Sequence, residues 1–176
     1  ENQYNDSEKV AYLKALLQYE LPKVVRRQIL DDLFKRYVTP NMEDFARELY
    51  LNRDQLRCMI KNGMYIGNHG YSHSWMNKLT QDEQETDIDN SLNFLEMLGA
   101  PITDWVMSFP HGAHDESLLN ILRQKGCSLA VTIEPGIADL SIENSLTLNR
   151  LDTNDLPKCA NAPPCSWTQQ TIKDFS

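Results

Sequence analysis

The chain has 176 residues, of which 24% are charged and 41% hydrophobic, enough for one domain of ordinary size with a real core and too apolar for a disordered polypeptide. Its formal net charge of -8 argues against the clustered Lys and Arg that phosphate contacts demand, so nucleic acid is not an expected partner. No run approaches the roughly 18 apolar residues that span a bilayer. The opening Glu1-Asn2-Gln3-Tyr4-Asn5-Asp6 has neither the basic leader nor the apolar stretch of a signal peptide. The first residue is not Met, so the true N-terminus is expected upstream, and localisation stays open between cytoplasm and cell envelope. Oligomeric state is open as well.

The first third reads as helical. Val10, Leu13 and Leu17 repeat on one face, Pro22 sits where a first helical turn tolerates it, and Val25, Ile29 and Leu33 continue a four-residue period. Two packed helices are expected there, with the basic cluster Lys23 to Arg27 as a solvated face. Short helices follow around Met42 to Leu49 and from Arg53 to Lys61, the second capped by Asn52 and stopped by Asn62-Gly63.

From Gly63 the texture changes to short strands alternating with helices. Met64-Tyr65-Ile66 is a strand candidate that runs into His69-Gly70-Tyr71-Ser72-His73. Thr80 and Glu83 make a capping box for a long helix carrying Ile88, Leu92 and Leu95, which Gly99 ends. Trp105-Val106-Met107-Ser108-Phe109 reads as the next strand. Asp115 then caps a helix with Leu118, Leu119, Ile121 and Leu122, ending at Gly126. Ser128 to Ile133 and Leu146 to Leu151 are further strand candidates. The segment 158–176, with Pro163-Pro164, has no periodic pattern and is expected to be an irregular tail.

The four cysteines show no CxxC spacing, which argues against a zinc ribbon or a thioredoxin-like site. Cys58 and Cys127 fall among apolar residues and are expected to be buried thiols. Cys159 and Cys165 bracket the Pro-rich stretch, where an oxidising compartment would permit a disulfide.

Strands separated by helices define an α/β fold, a parallel sheet or barrel, over residues 1–157, with 1–62 mainly helical and 63–157 the α/β portion. In such folds, function collects on loops at the carboxyl ends of strands. Both histidine segments fall there. His69 and His73 converge if their segment turns helically, and neutral imidazole is the commonest protein ligand for zinc. Two polar histidines on a surface turn are the simpler account, but the preceding strand and the second histidine loop favour a site. That second loop is Ser108-Phe109-Pro110-His111-Gly112-Ala113-His114-Asp115. Backbone N–H groups at such a turn can point at a developing oxyanion, although turn-forming Pro and Gly with a capping Asp would account for it alone.

These residues resemble the polysaccharide deacetylases with the NodB homology domain, carbohydrate esterase family 4. The family's His-[Ser/Thr]-x-x-His zinc motif is similar to His69-Gly70-Tyr71-Ser72-His73, with Gly70 in place of the hydroxyl residue. Ile66-Gly67-Asn68 resembles the approach to that motif. Pro110-His111-Gly112 is similar to a Pro-Tyr-Gly segment lining the groove, and Ser117-Leu118-Leu119 through Lys125-Gly126, then Leu129-Ala130-Val131-Thr132, to the next helix and strand. The resemblance covers residues 55–157 in order and spacing.

It implies a NodB-type distorted (β/α) barrel, incomplete at the N-terminus. It also implies that His69 and His73 bind Zn2+ or another divalent metal, and that the backbone N–H of His111 takes the oxyanion position. The reaction implied is metal-dependent hydrolysis of N-acetyl groups on a polysaccharide or surface-glycan precursor, with that N-acetylated polysaccharide as partner. Two family features are missing. The Thr-Phe-Asp-Asp strand that gives the base and third ligand is absent, the only Asp-Asp pair being Asp31-Asp32 in a helical pattern, and no Leu-x-His-Asp segment follows. The chain therefore resembles the C-terminal portion of a deacetylase whose first strand lies upstream of Glu1. Asp152 or Asp155 completing the metal site is the other reading, although both could serve as turn residues beside Pro157. The alternative function is a catalytically inactive carbohydrate- or metal-binding domain of the same fold. Tyr71, Trp75 and Trp105 are candidates for stacking on a sugar ring, although core packing explains Trp105 as well.

Overall fold

The structure, a computed structural model, describes residues 7–141, 144–159 and 161–174. The chain forms two compact units, Glu1–Leu56 and Arg57–Ser176.

In the first unit, α1 (Glu8–Ala15) runs into a single π-helical stretch, Leu16–Glu20. Pro22 occupies the cap position of α2 (Lys23–Tyr37), where its missing N–H costs no intrahelical bond. Asn41 caps α3 (Met42–Leu49) by accepting from Asp44 N–H. Phe34 of α2 and Phe45 of α3 meet edge to face, ring centroids 5.2 Å apart. The expected helices form, but their apolar stripes do not close into a core. Val10, Leu13, Val25 and Leu33 each remain at least 40% exposed, and α1, α2 and α3 bury no residue. A stretch this short has too little apolar surface to enclose a core by itself. Asp32 is exposed on α2, while Asp31 is half-buried with its carboxylate 3.1 Å from Arg27 Nε one turn earlier.

Helix α4 (Arg53–Lys61) starts with a reciprocal cap, Gln55 N–H to Asn52 Oδ1 and Asn52 N–H to Gln55 Oε1. The second unit is built around α5 (Gln81–Leu98), β1 (Trp105–Ser108), α6 (Glu116–Gln124) and β2 (Cys127–Val131). Thr80 and Glu83 form the capping box of α5, and Gly99 ends it in the left-handed conformation. Asp115 accepts from Leu118 N–H to cap α6. Strands β1 and β2 pair in parallel, with Met107 opposite Ala130, and the crossover through α6 makes a βαβ unit.

Neither outer strand candidate forms a strand: one isolated bridge lies just past the first, and one lies within the second. Asn68 pairs with Met107, and Leu148 with Val131. Met64-Tyr65-Ile66 is not a strand, and its own side chain shows why. The Val106 N–H, the donor that a neighbouring strand's carbonyl would take, goes instead to the Tyr65 hydroxyl at 2.8 Å. Leu146 to Leu151 likewise makes one bridge, with bonds from Thr132 N–H to Leu148 O and from Leu148 N–H to Ala130 O, and beyond it Arg150 N–H donates to Glu134 O. Among the described residues the sheet is therefore open and parallel.

Its core lies between the sheet and the two long helices. Trp105, Met107 and Phe109 alternate inward along β1 and its extension, facing Ile88 of α5 and Leu118 and Leu122 of α6. Trp105 is fully buried, and its indole N–H donates to Lys125 O at 2.9 Å. It is a core residue and no sugar-stacking surface. Cys127 is buried as expected, but Cys58 is exposed, because α4 buries none of its residues. Cys159 and Cys165 are free thiols, and the tail read as irregular contains α7 (Ser166–Asp174). No helix among the described residues is long and apolar enough to cross a membrane.

Two outcomes are expected from this architecture. Thr80→Ala removes the acceptor for Glu83 N–H and should lower the stability to denaturant by about 1 kcal/mol without changing the slope of the transition. Burial pushes the Cys127 thiol up to about 11, leaving roughly one part in a thousand as thiolate at pH 8. An alkylating reagent at that pH should modify Cys58 and Cys159 in the folded protein and Cys127 only after unfolding, as read by mass spectrometry of the digest.

Candidate metal and oxyanion site

The site is organised by three polar residues on α5 that face inward where an apolar stripe would be expected. Gln84, Asp87 and Ser91 recur at helical spacing, lie beside Ile88 and Leu95, and are all buried. Each holds a different piece of the loop between Asn68 and Met76. Ser91 Oγ accepts from Asn68 Nδ2 at 2.7 Å, while Asn68 Oδ1 accepts from Gly70 N–H at 2.8 Å. Asp87 accepts from Tyr71 N–H at 2.7 Å, from Ser72 N–H at 3.0 Å and from the Ser72 hydroxyl at 2.5 Å. Gln84 Nε2 donates to Met76 O at 3.0 Å and to the Asp115 carboxylate at 3.1 Å. These residues are invisible to a search for catalytic motifs. Their signal in the sequence is polarity on the buried face of a helix.

The loop so held is not helical. Gly70 and His73 both adopt positive φ, 72° and 52°, so the histidines converge through a left-handed turn rather than through a helical i, i+4 pairing. Their rings sit 5.0 Å apart, centroid to centroid. His69 Nδ1 lies 2.6 Å from Ser108 O, the last carbonyl of β1. A carbonyl can only accept, so Nδ1 carries a proton and Nε2 is the nitrogen left to face a metal ion. That carbonyl-to-imidazole bond is the outer-shell arrangement that fixes metal-binding histidines.

The second loop brings His111 to the same place. Pro110–Gly112 forms one 3-10 turn, with His111 at φ 57°, and the turn's own bonds come from Gly112 and Ala113 N–H, donating to Phe109 O and Pro110 O. The His111 ring stands edge-on to His73 at 4.7 Å and stacks on Trp75 at 4.6 Å and 4°. Burial, then the neighbouring His69, holds His73 below the usual imidazole range. Burial, then His73, does the same for His111. Both rings are accordingly neutral at pH 7, the form that can bind a cation.

His114 lies elsewhere: it stacks on Phe109 at 4.7 Å, and its Nδ1 lies 2.9 Å from Gly112 O. Asp152 and Asp155 close on each other as a capping box, Asp152 taking Asn154 N–H and Asp155 taking Asp152 N–H, both at 2.8 Å. They are turn residues. The Asn154 N–H holds the Asp152 carboxyl below its ordinary value. Among the described residues no group of three or more His, Cys, Asp or Glu could hold a metal ion. What the structure brings together is thus two imidazoles, a third ring beside them and an aromatic plate. Tyr71, between the paired histidines, is exposed.

The β/α fold is similar to that of solved deacetylases. A Streptococcus pyogenes deacetylase, PplD, solved with acetate, superposes with a TM-score of 0.54 at 23% identity, over 83% of this chain and 72% of that one. A de-N-acetylase from Aggregatibacter actinomycetemcomitans superposes with a TM-score of 0.50 at 17% identity, over 74% and 55% of the two chains. By sequence, the chain is 28% identical over 89 residues to Bacillus subtilis YxkH, named as a candidate polysaccharide deacetylase; the match takes in 51% of this chain and 32% of that protein. The chain thus spans about a third of the length of that relative. The polysaccharide deacetylase family model matches residues 30–130, and the chain belongs to that family.

Gly70, where the motif usually has a hydroxyl residue, is required by the loop. A Cβ there would stand 3.1 Å from Asp87 Oδ1 and 3.2 Å from Pro110 Cγ, at positive φ. Gly70→Ser should therefore destabilise by more than the about 1 kcal/mol that left-handed φ alone costs. Gly99→Ser, also at positive φ but with no atom within 4 Å, isolates that backbone cost. Comparing the two in chemical denaturation gives the crowding contribution, and equal losses would show that none exists.

Proposed function

We propose that this chain is part of a metal-dependent deacetylase that removes N-acetyl groups from a polysaccharide or surface-glycan precursor. The observation that carries this reading is the His69–His73 pair, 5.0 Å apart, with His69 Nδ1 committed to Ser108 O and Nε2 left to bind. Two imidazoles suit Zn2+ or another divalent ion, so the donors present fit as part of a site, and His69 and His73 would hold the ion. When bound, it would supply Lewis-acid polarisation of the acetyl carbonyl and an activated water.

The chain's own residues take the remaining roles. The His111 backbone N–H, in a turn whose internal bonds are made by its neighbours, donates to the acetyl oxygen as negative charge develops there. The Trp75–His111 stack is a flat wall against which a pyranose can lie, and exposed Tyr71 offers a second ring. In this reading the open parallel sheet is one part of a NodB-type distorted (β/α) barrel. Products are the free amine and acetate.

The second reading, a catalytically inactive domain that binds carbohydrate or metal, is favoured by one observation. No Asp or Glu among the described residues joins the histidine pair in a metal-holding group, and hydrolysis requires a base.

Replacing His69 or His73 with Ala should abolish stoichiometric zinc in purified protein, measured by atomic emission; unchanged metal content would exclude the pair as ligands. Acetate release from an N-acetylated oligosaccharide should require added divalent metal. Stoichiometric zinc without any acetate release would select the binding domain.

A further inference from the structure

We propose that Asp87 is a positioning residue for this site: buried on α5, it grips the backbone between His69 and His73 and so sets how well the two imidazoles meet a divalent ion. The inference rests on the reading that these histidines hold the ion. Three residues separate them, and every one of their backbone N–H groups is taken by a side chain anchored to α5. Gly70 N–H goes to Asn68 Oδ1, and Asn68 is itself tied to Ser91; Tyr71 and Ser72 N–H go to the two oxygens of Asp87. The Ser72 hydroxyl adds a third bond to Asp87 at 2.5 Å.

A carboxylate is the side chain that fits this task. It presents only acceptors, and all three groups facing it are donors. Bonds to an ionised acceptor are also stronger than neutral ones, most of all where water is excluded, and Asp87 is 6% exposed. The turn needs that strength. His73, a non-glycine residue, stands at φ 52°, a conformation that persists only when its surroundings over-determine it. Asp87 is not itself a ligand in this arrangement, since both of its oxygens face the loop's donors and no metal-holding group includes it.

The test uses the full chain and Zn2+ alone, with affinity measured by competition against a chromophoric chelator and stability by denaturant. Asp87→Asn replaces one acceptor with an NH2 that faces N–H donors. It should weaken Zn2+ binding by about 10–100-fold, the range typical of outer-shell partners of metal ligands. Amide exchange at Tyr71 and Ser72 should speed up alongside. Asp87→Glu, which keeps the carboxylate, should recover part of the affinity. Leu95→Ala, a buried residue on the same helix with no bond to the loop, should cost stability and keep wild-type affinity. If Asp87→Asn does not fold, Ser72→Ala deletes one donor, leaves Asp87 in place and should still weaken binding several-fold.

Wild-type affinity in Asp87→Asn, or in Ser72→Ala where that variant stands in for it, overturns the proposal. So does a loss in Leu95→Ala equal to that in Asp87→Asn, which would make the effect one of general stability. If the wild-type chain itself takes up no Zn2+, the assignment of His69 and His73 fails and this inference fails with it. If the wild type binds and Asp87→Asn binds equally well, the positioning role alone fails.

Discussion

The buried carboxylate of Asp87 receives three hydrogen bonds from two consecutive residues of one loop, and the geometry of the whole site follows from that contact. A loop whose N–H groups point inward must find acceptors there or lose several kcal/mol of hydration. Helix α5 supplies them through Asp87 and, by way of Ser91, Asn68. The same helix turns its apolar residues, Ile88 and Leu95, to the core. One face therefore does two jobs: it seals the sheet and it shapes the histidine loop that follows Asn68. Gln84 extends the connection by donating to Asp115, the cap of α6, so the helix flanking the second histidine loop is fixed by the same face.

This polar stripe also explains why the two loops meet. The histidine turn leaves the sheet at Asn68, the Pro110 turn leaves it just after Ser108, and the Asn68 bridge to Met107 sets those departures side by side. His69 then reaches Ser108 O, and His73 reaches the His111 ring. Positive φ at His73 and His111 is the cost of aiming both side chains into one small space. Partial burial keeps these rings neutral, and neutrality lets like-type groups crowd together without charge repulsion.

The helical first unit follows a different logic. Its helices are well specified locally, by Asn41 at a cap, by Pro22 at a start and by ion pairs one turn apart, yet they bury nothing. Local propensity and capping suffice to draw the chain into helices when the sequence agrees at each step. They do not make a core, which needs apolar surface brought from distant parts of the chain, as Trp105, Ile88 and Leu122 are in the second unit.

The sequence by itself determined what depends on near neighbours. The capping box at Thr80, the stop at Gly99, the Asp115 cap, strand β1 and the helix between β1 and β2 are all legible because their causes lie within a few residues of one another. The pairing of His69 with His73 and the order of motifs were legible for the same reason, and they were enough to indicate the family. Only the tertiary structure decided which of these features act together. It put Trp105 in the core and Trp75 against His111, left Cys58 exposed, kept Met64-Tyr65-Ile66 out of the sheet because a tyrosine hydroxyl took the neighbouring N–H, and turned Asp152 and Asp155 upon each other. It also revealed Asp87, whose partners lie 15 and 16 residues away. A carboxylate's role is fixed by the donors that surround it, and in a folded chain those donors come from other elements.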